Sequence, residues 1–66
     1  MPRFSHREKA EECKREIRQR MRVYPRLISE GRMSQQQAAR QLEILCEMQA
    51  DYEALDKAEN PDLFPS

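Results

Sequence analysis

The chain has 66 residues, of which 38% are hydrophobic and 36% charged, and its twelve basic and twelve acidic side chains cancel to a net charge of zero. A chain this short buries only about 60% of its unfolded surface, and a mean hydropathy of −1.04 forces its few apolar residues into one seam. One Gly, no Trp and only four β-branched residues (Ile17, Val23, Ile28 and Ile44) argue against a small sheet protein and for an all-α one.

The first element opens at Ser5-His6-Arg7-Glu8, the pattern of a capping box, in which Ser5 accepts from the amide three residues on and Glu8 reaches back. Helix 1 is expected over about residues 6–30. At 100° per residue, Ala10, Cys13, Ile17, Met21, Tyr24, Leu27 and Ile28 fall within an arc of roughly 120°, wide enough for one neighbouring helix. Pro25 lies inside this run. It cannot donate to the Met21 carbonyl and its ring crowds that oxygen. Either a kink near residues 22–24 or an outright break after Val23 is expected, with Leu27 and Ile28 curling over the next helix.

Gly31 is the natural left-handed C-cap, and Ser34-Gln35-Gln36-Gln37 is a second capping box. Helix 2 then runs over about residues 35–59, until Asn60-Pro61 ends it. A loop of only residues 31–33 makes the two helices antiparallel neighbours. The expected fold is an antiparallel two-helix hairpin over residues 1–60, with a tail at 61–66 whose Leu63 and Phe64 either fold back on the open end or serve as a docking segment.

Helix 2 carries more apolar surface than one neighbour can cover. Ala38, Leu42, Ile44, Leu45, Cys46, Met48, Tyr52 and Leu55 spread over roughly 200° of its circumference. The surplus predicts an interface. The economical arrangement is a homodimer with a four-helix, coiled-coil-like core, and Leu42, Ile44, Leu45, Met48, Tyr52 and Leu55 are the candidate dimer or partner face.

Charge divides along the same line. Residues 1–32 hold ten Lys/Arg against five Glu, net +5, and residues 33–66 hold two against seven acids, net −5. Opposite charges flanking a helical seam help to set partner and orientation. Glu11 and Glu16 stand four residues before Arg15 and Arg20 and offer them helix partners. The row Lys14, Arg18, Arg22, Arg26 has no such partner within itself, and like charges at this spacing are mildly destabilising. Two roles fit it: a basic face for a protein or nucleic-acid partner, or neutralisation by Glu43, Glu47 and Asp51 of helix 2 or by solvent.

Catalytic and cofactor chemistry find no foothold. One His and two Cys without zinc-site spacing point to no metal site, a single Gly rules out a glycine-rich phosphate loop, and two helices give no enclosing walls for a substrate. No enzyme activity and no cofactor are expected. Cys13 and Cys46 are expected as free, buried thiols of a reducing compartment. They are offset in the hairpin register by about five residues, roughly 7.5 Å, which is awkward for a bridge. His6, in the first turn, is expected in solvent. No apolar stretch follows the basic N-terminus as in a secretory leader, and no run reaches the roughly 18 apolar residues of a membrane span. A cytoplasmic location without membrane attachment is expected. A helix-turn-helix around Gly31 fails, since Leu27 and Gln37 occupy its small and aliphatic positions and helix 2 is acidic.

The stretch Val23-Tyr24-Pro25-Arg26-Leu27-Ile28-Ser29-Glu30-Gly31-Arg32-Met33-Ser34-Gln35, continued by Ala38, Ala39 and an Asp51-Tyr52 pair, resembles a family of very short helical proteins encoded by phages and prophages of proteobacteria. The resemblance covers about residues 15–55. It implies a helical pair that binds a host bacterial protein stoichiometrically, anti-activators of quorum-sensing transcription factors being one style. Two functions therefore compete: a dimeric interaction module or inhibitor acting on a host protein, and a nucleic-acid-associated accessory protein using the arginine row.

Overall fold

The computed structural model describes residues 2–63. Helix α1 spans His6–Ser29 and helix α2 spans Gln35–Glu59, followed by one 3₁₀ turn at Pro61–Leu63. The two helices pack against each other, and no strand occurs among the described residues. Phe64, and with it the question of where the tail goes, lies outside the described residues.

Both helix starts are built by the chemistry of their caps. The Ser5 Oγ accepts from the Glu8 amide at 3.1 Å while the Ser5 amide donates to Glu8 Oε1 at 3.0 Å. Ser34 and Gln37 repeat the exchange at 3.0 and 3.1 Å. Each box satisfies two of the amides that a helix N-terminus leaves without intrahelical partners. Each such cap contributes about 1 kcal/mol.

The turn is a Schellman motif. The Gly31 amide donates to the Ile28 carbonyl at 3.0 Å and the Arg32 amide to the Leu27 carbonyl at 2.9 Å. Gly31 has φ +73°, the one described residue on the left-handed side. Helix α1 passes through Pro25 unbroken. A separate short helix after Val23 does not form, because the last turn is anchored on both sides of the proline: Tyr24 is buried, Leu27 and Ile28 are half-buried, and the Schellman bonds hold Leu27 and Ile28 in place. Packing and capping outweigh the missing hydrogen bond.

The hairpin measures 47 × 27 × 15 Å. Its thinnest dimension is close to one helix diameter, so the core is a single seam between the helices. Buried along it are Ala10, Cys13, Tyr24 and Ala38, with no large side chain fully enclosed among the described residues. Small residues at positions 10 and 38 let the helices approach closely. Ile17, Leu27, Leu42, Leu45 and Tyr52 are half-buried around them.

Three details differ from what spacing suggests. Met21, which shares the apolar arc of α1, is 61% exposed. It sits at the margin of that arc, and Arg20 takes the seam-side place instead, half-buried between Glu16 at 3.1 Å and the Tyr24 hydroxyl at 3.0 Å. Cys46 is exposed, and only Cys13 is a buried thiol. Position 46 lies roughly 80° round α2 from Ala38 and Asp56, past the reach of α1. Arg15 pairs with Glu12 rather than Glu11, since a three-residue spacing also places two side chains on one face.

Candidate interaction surface

The seam ends in two polar locks. Near the loop, the buried Tyr24 hydroxyl donates to Gln41 Oε1 at 2.7 Å and accepts from Arg20 Nη1 at 3.0 Å. This fixes the register of α1 against α2. At the open end, Asp56 is only 6% exposed although it is a carboxylate. Arg7 Nε donates to it at 3.2 Å and Asn60 Nδ2 at 3.0 Å. The Asn60 amide also closes the helix on the Asp56 carbonyl at 2.9 Å.

Sequence reasoning missed Asp56. The signal was available: Ala38, Leu42, Leu45, Gln49, Tyr52 and Asp56 follow alternating spacings of three and four, so Asp56 stands in the stripe that meets α1. His6 is half-buried, not in open solvent. Its ring stacks on Tyr52 with centroids 6.2 Å apart, and its Nδ1 lies 2.8 Å from Glu59 Oε1. That nitrogen is shielded from water and the approach is not directed as a hydrogen bond. Lys9 covers the same Tyr52 ring at 5.8 Å.

The candidate face on α2 divides in two. Leu42, Leu45 and Tyr52 are half-buried against α1. Ile44, Met48 and Leu55 remain 46, 39 and 45% exposed. At 100° per residue these three cluster roughly 100° round α2 from the stripe that faces α1, forming an apolar flank about three turns long. Beside it run Glu43, Glu47 and Asp51, all exposed and, among the described residues, in no ion pair.

The basic row behaves likewise. Lys14, Arg18, Arg22 and Arg26 are all exposed, and among the described residues none of them reaches a carboxylate. Geometry explains why the two rows do not meet within one chain. The basic row lies roughly 140° round α1 from its seam, and the acidic row roughly 180° round α2 from its own. They occupy opposite outer edges of the hairpin. The Arg7–Asp56 ion pair and the His6–Glu59 contact, which do cross the seam, sit at the open end.

A shallow, open groove of about 480 Å³ runs along the other flank, lined by Arg7, Glu11, Lys14, Gln49, Glu53 and Asp56 among others. Its lining mixes both charge signs. Among the described residues no group of three His, Cys, Asp or Glu could hold a metal ion, and no helix is long and apolar enough to cross a membrane. Burial, and secondarily the neighbouring Glu12 carboxylate, push the Cys13 thiol above its ordinary pKa, so it stays protonated and unreactive near neutrality.

No family model matches the chain, and no curated protein or solved structure shows significant similarity to it.

Proposed function

We propose that this chain is a non-enzymatic interaction module that pairs with a second copy of itself and, in that form, binds and modulates a bacterial host protein. The observation that carries the reading is the flank Ile44–Met48–Leu55. Three large apolar side chains stay roughly half exposed in a protein whose seam buries almost none fully, and a contiguous apolar stripe on so small a surface marks an interface. The resemblance to short phage-encoded helical proteins supports a phage-derived binder of a host regulator, acting in the bacterial cytoplasm as an inhibitor.

Methionine oxidation tests the interface directly. Met48 and Met21 are both exposed in the single chain, at 39 and 61%. With rising protein concentration, peroxide should oxidise Met48 progressively more slowly while Met21 keeps its rate. Equal, concentration-independent rates at both sites would overturn the reading.

A second reading follows from the bare arginines. Arg18, Arg22 and Arg26, exposed and unpaired among the described residues, suit phosphate contacts, and the module would then be an accessory of nucleic acid. Binding of that kind falls steeply with salt, with a slope set by the number of phosphates neutralised. Retention of DNA or RNA that is lost between low and physiological salt, and lost in an Arg18→Gln/Arg22→Gln/Arg26→Gln variant, would establish it.

A further inference from the structure

The hairpin has two broad faces, and the apolar flank lies on only one of them. Lys14, Gln49 and Glu53 line the groove on the first face. Ile44, Met48 and Leu55 turn the other way round α2 from the seam, by roughly 100°, and so lie on the second. There α1 presents Lys9, Glu16 and Arg20, all half-buried. A second copy laid face to face on this side closes as a dimer in one of two ways. A two-fold axis parallel to the helices keeps the hairpin's own register, the one Tyr24 with Gln41 and Arg7 with Asp56 define. Ile44, Met48 and Leu55 would then meet Arg20, Glu16 and Lys9 of the other chain, which strips water from charges and gives no apolar contact in return. An axis perpendicular to the helices lays α2 on α2 and α1 on α1, each pair antiparallel. Apolar then meets apolar.

Charge fixes where along the helices that axis falls. Asp51 interrupts the flank between Met48 and Leu55, and Arg40 stands at its rim; both are exposed and, among the described residues, in no ion pair. An axis at the level of Cys46 sets Ile44 beside Met48 of the other chain and Asp51 beside its Arg40 and Gln41. Gln41 accepts from Tyr24 through Oε1, which leaves its NH₂ to donate to that carboxylate. By the hairpin's register the same axis crosses α1 near Arg18, and so sets Glu16 beside Arg20 of the other chain. Moved three residues on, to Gln49, the axis would bring Glu47 against Asp51 instead, and like charges at close range disfavour that pairing.

We propose that α2 of a second copy covers the Ile44–Met48–Leu55 flank, antiparallel to the first, about a two-fold axis perpendicular to the helices at the level of Cys46. Lys14, Arg18 and Arg22 stay outside this contact. The inference rests on the self-association proposed above and specifies its geometry.

Spin labels on the full chain test it by pulsed electron paramagnetic resonance. Cys46 is exposed and Cys13 buried, so a thiol label enters at Cys46, on the side of α2 away from the flank. The second site is Lys57→Cys in a Cys46→Ser chain, position 57 being exposed as well. In the antiparallel dimer the two copies of residue 46 stand level, while those of residue 57 are about 33 Å apart along the axis. The label distance should therefore be longer at 57 than at 46 by more than about 10 Å. Sedimentation equilibrium supplies an independent arm. Arg40→Glu should weaken the dimer on the order of tenfold, and Arg40→Glu/Asp51→Arg should recover most of the loss, both with wild-type helix content.

Equal label distances at the two sites, or a dimer that Arg40→Glu does not weaken, would overturn the α2-on-α2 geometry and leave self-association standing. A wild-type chain that stays a 7.9 kDa monomer throughout would overturn both.

Discussion

Tyr24 is the residue on which the hairpin depends most, and two substitutions separate its two roles. Its ring is 6% exposed, and its hydroxyl ties Gln41 of α2 to Arg20 of α1 at 2.7 and 3.0 Å. Tyr24→Phe removes only the hydroxyl. Gln41 is exposed and Arg20 half-buried, so both turn to water, and the cost should be about 1 kcal/mol, that of one hydrogen bond and not of two. Tyr24→Ala also removes the ring. Aromatic-to-alanine changes cost about 3–5 kcal/mol in cores. A molecule 15 Å thick relaxes around the gap more easily than a large domain, so the lower end, about 3 kcal/mol, is expected. That still rivals the roughly 3–5 kcal/mol that a core of this size supplies. Urea unfolding followed by circular dichroism, at one fixed protein concentration because association stabilises the fold, should show Tyr24→Phe folded with a lowered midpoint and Tyr24→Ala largely unfolded without denaturant. A Tyr24→Ala protein that loses less than about 1 kcal/mol, or equal losses from both substitutions, would refute the placement of the core at this ring.

Other consequences are checked with simpler measurements. Gly31→Ala meets no atom within 4 Å of the added Cβ, so its cost is backbone strain alone, about 1–2 kcal/mol, and Gly31→Asn should lose less; thermal midpoints of the two variants compare them. A thiol reagent at neutral pH should label Cys46 at once and Cys13 only on unfolding, because Cys46 is exposed while Cys13 is buried with a raised pKa; simultaneous labelling of both would contradict the seam. Hydrogen bonds from the Ser5 amide and then the Ser5 hydroxyl hold Glu8 below the usual carboxylate range. A pKa lowered by folding stabilises above the unfolded value and is lost as pH falls through the folded one. Helix α1 should therefore fray at its start in acid, and an NMR titration should find Glu8 deprotonating at lower pH than in the unfolded chain.

Much of this architecture is readable from local chemistry. Ser5 with Glu8, Gly31, and Ser34 with Gln37 each act within four residues of themselves, so the positions of caps and turn survive any tertiary context. What was not legible depends on the partner helix. Pro25 is tolerated because Tyr24 before it is buried and bonded to α2, and Leu27 and Ile28 after it are half-buried and held by the turn, a combination no local rule contains. Met21 and Cys46 belong to apolar arcs by phase yet fall outside the width that one neighbour covers, and phase alone does not say where that width ends. Arg20 and Asp56 read as surface charges. Arg20 is drawn half inside by Tyr24 of its own helix, whose hydroxyl also meets Gln41 across the seam, and Asp56 is met across the seam by Arg7. For the candidate surface, the two halves of α2's apolar arc were visible as a surplus, while their division into a covered half (Leu42, Leu45, Tyr52) and an open half (Ile44, Met48, Leu55) required the α1 contact.

The central claim is that the open half of α2 is an interface, and the dependence of thermal stability on protein concentration tests it most directly. Ile44 is 46% exposed in the single chain, so Ile44→Asp disturbs little there and places an uncompensated charge only where a second chain would cover it. The wild-type unfolding midpoint should climb steadily over a hundredfold rise in concentration, as expected when a partner binds only the folded state. The Ile44→Asp midpoint should stay flat and match the wild type at its most dilute. A wild-type midpoint that does not move over the same range, with Ile44→Asp indistinguishable from it, would contradict the account.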